Sequence, residues 1–143
     1  MESDPTGRNP HEPGAKLDAG KSSVYQGAYS YFPRALAAVA EVSQYGATKY
    51  TWKGWESVPD GINRYENAMG RHIGYEVEEG PQDKESGLLH KAHRAWNDLA
   101  SLELYLRQRE AAEEDRRRSQ ATSVPVASFS VGAGEEPYQY PLI

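Results

Sequence analysis

The sequence predicts an all-α protein: a small helical bundle with an extended N-terminal arm before it and an irregular C-terminal tail after it. Two observations carry this expectation. Apolar residues recur at helical spacing in segments beginning near Pro33, Gly61 and Gly87, and proline and glycine stand where those helices should start and stop. The expected organisation is an arm over 1–30, a helical domain over 31–110, and a charged linker with an irregular tail over 111–143.

In chain order, the arm scatters glycine and proline without periodicity and holds one basic cluster, GAKLDAGK, with Lys16, Asp18 and Lys21. Gly20-Lys21 resembles part of a phosphate loop, but Ala15 stands where the first glycine of that pattern belongs, so the motif is broken. Pro33 suits the first turn of a helix running to Tyr50, with Leu36, Val39, Ala40, Ser43, Ala47 and Tyr50 near one face. A tryptophan-bearing loop, TWKGWESVPDG, then leads to Asp60 as the expected N-cap of the second helix. In that helix Ile62, Met69, Ile73 and Val77 form an apolar stripe, and Tyr65, His72, Glu76 and Glu79 lie in a narrow arc beside it. Gly80 and Pro81 end it.

The third helix is expected from Ser86 or Gly87 to about Arg109. Ala92, Trp96 and Leu99 centre its apolar face, with His90, His93 and Asn97 along the edge and Lys91, Arg94 and Asp98 opposite. Leu88, Ala95, Leu102 and Leu106 widen that face beyond what two partner helices would cover, which predicts a subunit interface. REAAEEDRRRSQ then reads as a solvated helix end, and the tail with Tyr138 and Tyr140 shows no helical period.

Composition narrows the functional classes. The chain has 143 residues, a formal charge of -5 and no cysteine, which fits one compact domain and excludes disulfides and thiolate metal sites. Any metal must sit on oxygen or imidazole. The acidic balance argues against wrapping duplex DNA, and the absence of a long apolar run argues against a membrane span or secretory signal, so a cytoplasmic location is expected.

The chemistry concentrates between Arg64 and Asn97. Glu76, Glu78, Glu79, Asp83 and Glu85 crowd a helix end and the loop after it, the kind of oxygen cluster that holds a hard divalent cation, magnesium or manganese, against phosphate oxygens. The metal candidates are Glu79, Asp83 and Glu85, with Glu41 of the first helix as a fourth. His72, His90, His93 and Asn97 face inward and are the candidates to orient water or phosphate. HExxH is absent, which disfavours a zinc hydrolase on this helix. Lys16, Lys21, Lys49, Arg64 and Arg71 are candidate phosphate clamps, and Tyr50, Trp52 and Trp55 could stack a nucleobase beside them.

Taken in order, GAKLDAGK, ALAAVAEVSQYGATKY, a tryptophan, RYENAMGRHI and DKESGLLHKAHRAWN resemble the phage dATP/dGTP diphosphohydrolase family, related to the MazG-like all-α nucleotide pyrophosphohydrolases. The resemblance spans roughly Gly14 to Leu106. It implies an oligomeric helical enzyme, a homodimer or homotetramer, that cleaves purine deoxynucleoside triphosphates between the α and β phosphates with magnesium or manganese and releases pyrophosphate. If phage-encoded, it would act in the host cytoplasm. Position by position the resemblance marks Lys49, Tyr50, Arg71, His72, Asp83, Glu85, Ser86, Gly87, His90, His93 and Asn97. Two features depart from the wider pattern: HKAHRAWND offers no second acidic pair, and Glu79-Gly80 stands where relatives read GE. The alternatives from other classes are a non-catalytic nucleotide-binding or protein-interaction module and a histidine-metal phosphohydrolase releasing inorganic phosphate.

Overall fold

The computed structural model describes residues 1–122; the tail, with Tyr138 and Tyr140, lies outside them. Among the described residues the long elements are helices, with α1 at Pro33–Lys49, α2 at Gly61–Glu79 and α3 at His90–Thr122. A π-helical turn, Tyr25–Tyr29, precedes α1, and a 3-10 turn, Gly54–Ser57, precedes α2. The chain divides into two units, Met1–Leu106 and Arg107–Ile143. Within the arm, Asp4 accepts hydrogen bonds from the Thr6 backbone and hydroxyl and from the Lys16 backbone N–H at 2.6 Å, which closes residues 4–16 into a loop.

Pro33 occupies the first turn of α1, where its missing N–H costs nothing, and the helix runs through Gly46 to Lys49. Asp60 stands at the N-cap of α2 but does not cap with its side chain. It lies in the left-handed region and its carboxylate instead accepts from Asn63 Nδ2 at 2.9 Å. Gly61 follows because the space is taken: a Cβ there would stand 2.7 Å from Leu104 Cδ1 of α3. Gly80, at φ 96°, ends α2 with its N–H on the Glu76 carbonyl, as the sequence predicts.

The third helix differs from expectation at both ends. It starts at His90, because the preceding residues are bonded into a loop closed on itself. Asp83 N–H donates to Leu88 O, Gly87 N–H to Asp83 O and His90 N–H to Pro81 O, and Gly87 sits at φ 72°. It continues to Thr122, well past Arg109, with the i,i+4 pairs Arg109–Glu113 and Glu114–Arg118 along the charge run.

The buried face of α3 is also rotated from the expected one. Instead of Ala92, Trp96 and Leu99 at its centre, it buries His90, Ala92, His93, Asn97, Ala100 and Ser101, while Leu99 is 48% exposed. The physical reason is that α2 and the loop bring polar partners to the histidine edge, so burial there leaves fewer bare polar groups. Arg94, expected on the solvated side, is half-buried and donates to Glu76 of α2 at 2.8 Å. On the other flank of α3, Trp96, Tyr65 and Trp55 meet edge to face, with centroids 5.5–6.5 Å apart. Trp96 Nε1–H reaches Ser43 Oγ of α1 at 2.7 Å, and Tyr65 O–H donates to the Trp55 carbonyl. This aromatic knot ties α1, α2 and α3 beside the histidines.

Candidate functional site

Helical spacing puts His90 and His93 on one side of the first turns of α3, and His72 of α2 meets them there. The His72 and His93 rings stack at 4.5 Å, nearly parallel, and His72 Nδ1 stands 2.9 Å from His90 Nδ1. His90 is 0% exposed, and its Nε2 has no hydrogen-bond partner among the described residues. Asp83 of the loop joins them: His72, Asp83 and His90 each offer a ligand atom, all within 4.8 Å of one another.

Ser86 orients this group. Its backbone N–H and its hydroxyl both donate to Asp83 Oδ1 at 2.8 Å. Because the hydroxyl's one proton goes to the carboxylate, the contact of Ser86 Oγ with His93 Nε2, also 2.8 Å, needs the proton from His93. His93 is thus fixed as the Nε2–H tautomer, and Ser86 has its oxygen fully used, with Leu88 N–H as a further donor. These bonds leave Asp83 Oδ2 for the histidine side.

Burial sets the protonation states. It pushes His72 and His93 below the ordinary histidine value, with neighbouring imidazoles adding to the shift and Asp83 opposing it. Burial would raise the Asp83 carboxyl, but the Ser86 bonds and the histidine charges outweigh it and hold Asp83 low. A deprotonated carboxylate beside neutral imidazoles is the state that binds a metal ion.

The remaining candidates are more dispersed. Glu85 accepts from Lys49 Nζ at 2.6 Å and from the Tyr45 hydroxyl, and the Lys49 bond leads in holding its carboxyl low. Tyr45 also meets the edge of the His93 ring at 6.4 Å. Sequence reasoning passed over this tyrosine, although its place one turn before Lys49 puts both on one stripe of α1. Glu79 pairs with Lys84 at 3.5 Å, and Glu41 is exposed on α1. Asn97 is buried and donates to the His93 carbonyl one turn back. Lys16 pairs with Asp18 and Lys21 with Glu2 within the arm, while Arg64 lies 3.5 Å from the Pro59 carbonyl. Arg71 is exposed, next to His72 in sequence, and makes no ion pair among the described residues. Trp55 lies in the aromatic knot, whereas Tyr50 and Trp52 are exposed.

A family model described as dATP/dGTP diphosphohydrolase, N-terminal, matches residues 11–116. The chain belongs to this family. The match takes in every residue of the histidine junction, so the candidate site lies within the matched dATP/dGTP diphosphohydrolase domain. No curated protein and no solved structure matches the chain. Hydrolase chemistry on a nucleotide is what the family name carries, and a site joining imidazole and carboxylate donors fits a divalent ion by the chemistry of its donor set.

Proposed function

We propose that this chain hydrolyses dATP and dGTP to the monophosphate and pyrophosphate, with a divalent ion, magnesium or manganese, at the junction of His72, Asp83 and His90. The observation that carries the reading is the convergence of these three side chains inside the matched dATP/dGTP diphosphohydrolase domain. When bound, such an ion supplies Lewis-acid polarisation of phosphate oxygens and a more acidic water.

The chain's own residues have separate tasks. Asp83, held ionised by Ser86, presents its carboxylate to the junction. His72 is half-buried, and burial favours its neutral form, the form in which an imidazole nitrogen can hold an ion. His93 fixes the Ser86 hydroxyl, and through it Asp83. Arg71 is the free cation closest in sequence to the junction and would balance the triphosphate charge. Lys49 would do so only by leaving Glu85.

Assembly completes the reading: the active form is a homodimer or homotetramer. Among the described residues the buried apolar side chains are Val42, Ala92 and Ala100, while Leu102 is 52% exposed and Tyr105 50% exposed. So small an apolar interior stabilises a lone chain weakly, and a second copy covering α3 would supply the missing burial. No helix among the described residues is long and apolar enough to cross a membrane, and the reading places the enzyme in the cytoplasm with its nucleotide pool.

The test is to incubate the protein with each dNTP, with and without magnesium or manganese, and resolve the phosphorus products. Deoxypurine monophosphate with pyrophosphate, formed only with the ion, is expected. Stepwise release of inorganic phosphate would establish the histidine-metal phosphohydrolase alternative, which the imidazole-rich junction also favours, and binding without turnover would leave a nucleotide-binding module.

A further inference from the structure

The donor set at the junction says more than that an ion binds. Two donors on adjacent vertices of an octahedral ion, with bonds of about 2.1 Å, stand about 3.0 Å apart. His72 Nδ1 and His90 Nδ1 are separated by 2.9 Å. As a purely structural pair these rings are poorly matched: a single proton can lie between them, and the fully buried His90 gains one side-chain bond while its Nε2 has none. A packing residue at that position would do better apolar. Two imidazole lone pairs directed at a shared cation remove the conflict between the facing nitrogens.

The hardness of the donors then decides which cation. Magnesium takes oxygen and keeps several waters, whereas imidazole nitrogen favours first-row transition ions. Of the other candidate carboxylates, Glu85 is paired with Lys49, Glu79 with Lys84, and Glu76 with Arg94 and Lys91, while Glu41 is exposed on α1. We infer that His72, Asp83 and His90 form a two-histidine, one-carboxylate centre for a first-row transition ion, such as manganese or iron(II), in preference to magnesium. The purpose of the ion rests on the proposed function; its ligands rest on the geometry alone.

Cobalt(II) is a suitable probe, because its visible absorption changes when imidazole enters its coordination shell. The full-length protein, stripped of metal, should bind cobalt(II) at one site per chain with an imidazole-type spectrum, and a tenfold excess of magnesium should not displace it. His72→Gln, His90→Gln and Asp83→Asn should each weaken binding by at least roughly 10- to 100-fold, the range that loss of even a supporting partner produces. His72 is half-buried, so His72→Gln, checked by circular dichroism, carries the test if His90→Gln does not fold. Unchanged cobalt affinity in folded His72→Gln and Asp83→Asn, or displacement by the tenfold excess of magnesium, overturns the inference. Turnover of dGTP in magnesium without histidine-dependent cobalt binding would overturn this centre as the ion's site and leave the proposed hydrolysis standing. Histidine-dependent cobalt binding without turnover of any dNTP would do the reverse.

Discussion

Replacing Trp96 by Phe tests whether the aromatic knot holds the helices together. The indole N–H lies 2.7 Å from Ser43 Oγ, and a neutral bond of this kind contributes about 1 kcal/mol net. The rings of Tyr65 and Trp55 stand 5.5 Å and 6.2 Å from Trp96, and the shorter phenyl keeps only part of those edge contacts, a further loss of about 1 kcal/mol. Trp96→Phe should therefore cost about 2 kcal/mol. Ser43→Ala should cost about 1 kcal/mol, and the double variant should be about 1 kcal/mol more stable than the sum of the two, because the bond can be lost once only. Urea unfolding followed by circular dichroism at fixed protomer concentration measures all three, since assembly would otherwise shift the midpoints. A Trp96→Phe cost under about 0.5 kcal/mol, or a coupling near zero, would show that α1 is not tied to α3 through this pair.

Three further outcomes are expected. Leu102→Glu, at an exposed position of α3, should convert the sedimenting species to monomer, whereas a wild-type monomer at micromolar concentration would refute the assembly reading. His72 and His93 have folded values below their unfolded ones, so their contribution to stability is present above about pH 6.5 and is lost as pH falls through the folded values; the melting temperature should drop from pH 7.5 to pH 5, and less in a His93→Gln variant. Asp4 is held at about 2, chiefly by the Lys16 backbone N–H, then by Thr6, so the arm's closure should persist above pH 4 and fail as pH falls towards 2. Amide exchange at Lys16 reads this directly, and an Asp4→Asn variant should lose the dependence on pH.

The parts of this molecule legible in its sequence are those fixed by local chemistry. Pro33 and Gly80 mark helix ends because their backbone preferences act within one turn, and the i,i+3 spacing of His90 and His93 aligns them in any helix. Pairings across the chain were not legible. Nothing near Glu85 announces Lys49, which is far away in sequence, and nothing near Trp96 announces Ser43. The rotation of α3 was hidden for a related reason: hydropathy ranks Leu99 above His90, and the groups that meet the buried histidines, His72 and Ser86, come from other segments of the chain. The end of α3 was misplaced because a charge run has no apolar period to follow, although its i,i+4 pairs do support a helix.

The loop between α2 and α3 has a thermodynamic consequence. Its backbone bonds, Asp83 to Leu88, Gly87 to Asp83 and His90 to Pro81, fix the carboxylate beside the imidazoles at the moment the chain folds. A flexible segment of similar length would have to be ordered at each encounter, at about 1–2 kcal/mol of conformational entropy per residue immobilised. Here that loss is already part of the folded state, so cation capture should show a small entropic penalty from the chain and little change in amide protection across residues 81–90.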